Sequence, residues 1–230
     1  MYFDPMYFVF AVPPLLFGLW AQWKVKSAFG KYSNVANSTG YTGADIARRL
    51  LDSQGLRHVS VEAVPGELTD HYDPRAKVVR LSEATMYRNS VAAIGVVAHE
   101  VGHAIQDAEN YAPMRTRAAI LPVANIGSIV GPYIFMLGIF INMFGLAFLG
   151  LLLFGAAALF QAVTLPVEYN ASNRAMRLLV DNGLVTSYDA GMARQVLDAA
   201  ALTYVAALLQ SLAQVLYYAM LLSGNRRRDD

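Results

Sequence analysis

The chain has 230 residues, 56% of them hydrophobic and 15% charged, with a formal net charge of +1 and no cysteine. Soluble domains carry about 25% charged residues, so this balance points to a membrane protein, and a near-neutral chain without a basic stripe offers nucleic acid no electrostatic footing. Without cysteine there is no disulfide framework and no thiolate site, so a metal must be held by His and carboxylate.

In chain order, the first apolar run extends from Tyr7 to Trp23, contains Pro13 and Pro14, and is followed by Lys24 and Lys26. It is long enough for a hydrocarbon core about 30 Å thick, and its basic residues follow the apolar part, which predicts an uncleaved anchor over 1–23 rather than a signal peptide. Residues 24–117 form the first polar region between the spans. There Thr42 and Asp45 have capping-box spacing, Ile46, Leu50 and Leu51 follow at helical spacing, and Gly55 stops the helix. Val59, Val61 and Ala63 then alternate with polar neighbours, Pro65-Gly66 marks a turn, and "AKVVRLS" reads as a second strand. This pattern predicts a small antiparallel sheet with a longer loop over 65–74, before the chain turns helical from Asn89.

No charged residue occurs from Ala118 to Leu165, about twice the length one spanning helix needs, so 118–165 reads as a transmembrane hairpin reversing at Asn142–Gly145. Residues 166–198 read as a helix opened by Pro166 and closed by Gly183. The last span runs from Ala199 to Leu222 within a C-terminal segment 199–230, with Gln210 and Gln214 on one face and a basic tail. The expected fold is therefore mainly α: transmembrane helices plus a small α+β domain formed by the polar regions.

The chemistry lies in "AIGVVAHEVGHAIQDAEN". On a helix, His99 and His103 stand on one face a turn apart, where one tetrahedral Zn²⁺ can take both. Glu100 flanks them, placed to accept a proton from water and return it to a leaving amine. Gly102 leaves room beside the histidines. A metzincin would need His at position 109 and Gly at 106, which are Glu109 and Gln106 here, so that class is excluded. His58 and His71 lie in the expected sheet, and Glu168, in the first turn of the helix after the hairpin, is the better candidate for a third ligand, the alternative being a carboxylate that complements the helix dipole. Two spans between His103 and Glu168 return the chain to the side it left, and two histidines plus a glutamate form a known catalytic zinc set.

Three stretches, "LTDHYDPRAKVVRLSE", "VVAHEVGHAIQDAENY" and "LPVEYNASNRAMRLL", together with the order of spans, resemble the membrane-embedded neutral zinc metallopeptidases of the YugP type, related in layout to the HtpX and Ste24 proteases. The resemblance implies a gluzincin-like protease with His99, His103 and Glu168 as zinc ligands and Glu100 as general base and acid. HtpX-like enzymes carry an Asp four residues after the ligand glutamate to orient a histidine, whereas this chain has Ser172, which leaves Asn170 and Asp107 either to hold an imidazole instead or to stand as solvated helix residues. The resemblance also implies that "HYDPRAKVVRLS" offers an edge strand to an extended substrate.

The function expected is a zinc endopeptidase acting on membrane or misfolded proteins in the bilayer, with a non-catalytic zinc-binding scaffold as the rival reading and an intramembrane transporter as a weaker one. Lys24, Lys26, Lys31, Arg115 and Arg117 flank the spans on the catalytic side and argue for a cytoplasmic face, and the resemblance implies a bacterial cell membrane. Four spans would then leave Arg226, Arg227 and Arg228 outside. Either Asp229 and Asp230 soften that tail, or the last helix packs against the catalytic part without crossing.

Overall fold

The computed structural model describes residues 5–226. In chain order these form α1 (Pro5–Ser33), α2 (Gly43–Ser53), β1 (Ser60–Val64), β2 (His71–Asp73), β3 (Val78–Ser82), α3 (Glu83–Met86), α4 (Val91–Ala108), α5 (Ala112–Phe140), α6 (Phe144–Asp181) and α7 (Ser187–Arg226). The chain divides into two compact units, one of Met1–Ala21, Pro113–Pro166 and Thr203–Asp230, the other of Gln22–Ala112 and Val167–Leu202. Four helices, α1, α5, α6 and α7, are long and apolar enough to cross a membrane. They contain the expected apolar runs. The tail expectation at Arg227, Arg228, Asp229 and Asp230 lies outside the described residues, as does the side chain of Arg226.

In the first unit, α5 and α6 approach until backbones touch. A Cβ on Gly127 would collide with the Leu153 carbonyl oxygen, and one on Gly150 would collide with the Phe135 nitrogen. Small residues at such crossings gain van der Waals contact that larger ones forbid, which is how apolar helices associate where lipid supplies no hydrophobic drive. Phe135 is fully buried and stacks on Tyr218 with ring centroids 4.2 Å apart.

In the second unit, α2 packs against α4 through Ile46, Ala47, Leu50 and Leu51, all fully buried. The predicted capping box is present, with the Asp45 amide donating to Thr42 Oγ1 and the Thr42 amide donating to Asp45 Oδ2. Four helices end alike: Gly55, Asn110, Asn142 and Gly183 each sit at positive φ just past the last turn. Leu56, Tyr111, Met143 and Leu184 then donate back to carbonyls five residues earlier. This is the Schellman arrangement, and Gly or Asn tolerates its left-handed residue at least cost.

Three expectations are corrected. The sheet is mixed, in the order β1-β3-β2, with β1 parallel to β3 and β2 antiparallel to it. The loop expected over 65–74 holds β2, which takes one flank of β3 and leaves β1 the other, running parallel. Central β3 buries Val78, Val79, Leu81 and Ser82 on both faces, which explains why "VVRLS" lacks the alternation of a half-exposed strand. Of "HYDPRAKVVRLS", β2 is therefore an edge and β3 is not. The second correction is Pro166, which lies inside α6 rather than at a helix start. A proline removes one backbone bond, and a helix of 38 residues sustained on both sides absorbs that loss. The last helix likewise starts earlier than expected, at Ser187.

Candidate metal centre

Helix α4 is the spine of the second unit. Its N-cap Ser90 accepts from the Ala93 amide, and most of its length from Val91 to Gln106 is buried. Two glycines let it sit between neighbours. A Cβ on Gly95 would lie 3.2 Å from Ala193 Cβ in α7, and one on Gly102 would lie 2.7 Å from the Ala171 carbonyl oxygen in α6. The second contact falls beside the histidines. It brings α6 close enough for Glu168 to reach them, so Gly102→Ala is expected to push α6 outward, lowering stability by about 1–3 kcal/mol and zinc content with it. Thermal unfolding in detergent with metal analysis would check this, and an unchanged zinc content would refute the role given to that contact.

His99, His103 and Glu168 converge. The two Nε2 atoms are 3.1 Å apart, and Glu168 Oε2 lies 3.2 Å from His99 Nε2 and 3.4 Å from His103 Nε2. Zinc bonds of about 2.0–2.1 Å in tetrahedral geometry place ligand atoms about 3.3 Å apart, so the triangle already has the size zinc requires. Glu168 is 2% exposed, and His103 and Glu100 are also buried. Two imidazoles and a carboxylate aimed at one point would be costly without a cation or proton between them. The electrostatics agree: burial pulls the His103 pKa down, but the Glu168 carboxylate, with Glu100 and Gln106, outweighs it and holds that pKa above the usual histidine value.

The atoms behind the imidazoles set their orientation. His103 Nδ1 lies 3.0 Å from Gln106 Oε1, while Gln106 Nε2 donates to the Val167 carbonyl oxygen and to Asn170 Oδ1, both at 2.9 Å. Those two acceptors require the amide nitrogen, so the Gln106 oxygen must face His103. An oxygen there accepts from Nδ1–H, which leaves the Nε2 lone pair directed at the metal position. Asn170 is held in turn by Arg174 Nε at 2.7 Å, and Arg174 pairs with Glu109 at 2.6 Å. On the other ligand, His99 Nδ1 meets Ser172 Oγ at 3.1 Å.

The alternative in which Asn170 or Asp107 holds an imidazole is thus corrected. Asn170 acts one step back, through Gln106. Asp107 is taken by Tyr72 Oη at 2.7 Å and Lys77 Nζ at 2.5 Å, tying α4 to the sheet instead. Burial and the Asp107 carboxylate push the Tyr72 pKa up, so it stays a neutral donor. The actual partners stand three residues after His103 and four after Glu168, a spacing visible in the sequence. His58 and His71 lie outside the group, which among the described residues comprises His99, His103 and Glu168.

Two histidines a helical turn apart, His103 buried and His99 partly so, a carboxylate from a second helix and a glutamate beside the first histidine form a group able to hold a metal, of the kind zinc peptidases use, in a chain with four apolar helices. The family described as "Putative neutral zinc metallopeptidase" matches residues 7–223, and the chain belongs to it. The "Putative membrane protease YugP" of Bacillus subtilis (strain 168) is 49% identical over 222 residues, covering 96% of this chain and 99% of that protein. No solved structure matches the chain.

Proposed function

We propose that the chain is a membrane-embedded zinc endopeptidase that cleaves membrane or misfolded proteins, with its site facing the cytoplasm and its polypeptide divided as the sequence suggests, the catalytic residues lying in 24–117 and 166–198. The convergence of three ligand atoms within hydrogen-bond distance carries this reading. His99 and His103 present Nε2 and Glu168 presents Oε2. Zinc held there would lower the pKa of a water toward about 7 and polarise a substrate carbonyl. Glu100, 8% exposed and close enough for its charge to act on His103, would be the base that takes the water's proton and the acid that returns it to the departing amine. The free edge of β2, in a sheet that packs on α4, offers backbone groups to an extended substrate.

Gln106 and Ser172 serve as positioning residues. Gln106→Leu removes the acceptor that fixes the His103 tautomer, and zinc affinity is expected to fall about 10–100-fold, measured by competition with a chromophoric chelator. Unchanged affinity would show that the tautomer is set elsewhere.

The test of the function is cleavage of an unfolded membrane-protein substrate by detergent-purified protein, with zinc quantified in the same sample. Zinc with cleavage supports the peptidase. Zinc without cleavage of any peptide offered would favour the scaffold reading.

A further inference from the structure

A second feature of the Gln22–Ala112 and Val167–Leu202 unit is unrelated to the zinc position. A cleft of about 430 Å³ opens between the C-terminal part of α1 and the N-terminal part of α7, within the size range of ligand clefts. Its lining positions recur every three or four residues on each helix, so one face of each forms a wall. At one end, Tyr32 Oη donates to Gln195 Oε1 at 2.7 Å, and Lys31 Nζ donates to Tyr32 Oη at 3.2 Å. The lining residues farthest from that end along their helices are Trp23 and Leu202. Both lie where the apolar run of their own helix begins or ends. The α1 wall of the cleft therefore carries cations along its length, from Lys31 to Lys24, and the cleft ends at the apolar pair Trp23 and Leu202.

Charge narrows the occupant. Lys24 and Lys31 both line the cleft, two turns apart, about 10 Å along the helix axis. Flexible stems of that length let both ammonium groups reach one phosphate between them. The lining carries two lysines and one acid, Asp198, which is itself held by Arg194 Nε at 2.7 Å. A headgroup carrying its own amine would meet that excess unfavourably, whereas an anionic one would not. Basic pockets between helices at the end of an apolar span are recognised sites for anionic headgroups, and a tryptophan at that level suits the glycerol region.

We infer that this cleft binds an anionic phospholipid, its phosphate between Lys24 and Lys31 and its acyl chains leaving past Trp23 and Leu202.

The test uses the full chain, stripped of lipid in neutral detergent. Native mass spectrometry would count retained phosphatidylglycerol against phosphatidylcholine, with inorganic phosphate as competitor. The expected result is retention of one phosphatidylglycerol in preference to phosphatidylcholine. The double variant Lys24→Gln/Lys31→Gln should lose that preference about 10–30-fold, while Lys26→Gln/Arg115→Gln, which removes equal charge outside the cleft, should keep it. Trp23 emission in a Trp20→Phe background, with both lysines intact, should shift to the blue on adding phosphatidylglycerol. Equal retention of the two lipids, equal loss in the control variant, or an unmoved Trp23 signal would overturn the proposal. Displacement of the lipid by inorganic phosphate would do so too, by showing that a free phosphate suffices. None of these readings depends on peptide hydrolysis.

Discussion

Glu100→Gln is expected to retain zinc at the wild-type stoichiometry while lowering peptide hydrolysis by about 10²–10⁴-fold. Gln has nearly the shape of Glu and cannot take a proton at neutral pH, so the substitution separates proton transfer from metal binding. The separation is clean here because Glu100 is not one of the three converging residues, although its charge reaches His103. Removing that charge leaves Glu168 as the only carboxylate opposing the burial of His103, which shifts the competition between proton and metal slightly and leaves the ligand atoms in place. Hydrolysis surviving in this variant at the wild-type rate, on a substrate that a zinc chelator protects, would remove Glu100 from the mechanism.

Glu168→Gln is expected to cost zinc affinity by more than about 100-fold, since even the outer residues that support a ligand are worth about 10–100-fold. The variant keeps the helix and the hydrogen-bonding shape but loses the negative charge that faces both imidazoles at 3.2 and 3.4 Å. A second consequence follows from linkage. Zinc binds the folded chain, so at a free concentration about 100 times its dissociation constant it stabilises that chain by about 2.7 kcal/mol. Wild-type Tm should fall when a chelator strips the metal, whereas the Tm of Glu168→Gln should not respond to added zinc at concentrations that saturate the wild type. A zinc-dependent Tm equal to wild type would show that another residue completes the ligand set.

Much of the centre was legible before any coordinates because its chemistry follows helical periodicity. His99 and His103 are one turn apart whatever surrounds them, and Gly55 and Gly183 close their helices because a left-handed residue is cheapest for glycine. Glu168 was reachable by counting spans, since an even number returns the chain to the same surface. What escaped was pairing. Gln106 and Ser172 stand at helical spacing from ligands, yet spacing alone does not tell which of several nearby polar side chains a packed neighbour will orient toward an imidazole. That choice is made by the Val167 carbonyl and Asn170, which belong to a helix more than sixty residues away.

The sheet failed for a related reason. Alternation in "SVEAV" and turn residues after it read as a hairpin, but strand direction depends on which partner lies alongside, and β2 had already taken one flank of β3. Pro166 misled because a local start signal is overridden when a long apolar helix is sustained on both sides of it. By itself, then, the sequence determined the apolar runs, the caps and the helical pairing of His99 with His103, all of which rest on interactions within a few residues along the chain. Tertiary structure alone decided strand direction, the approach of α6 to Gly102, and the oxygen that locks His103, because each depends on groups distant in sequence meeting at a few ångströms.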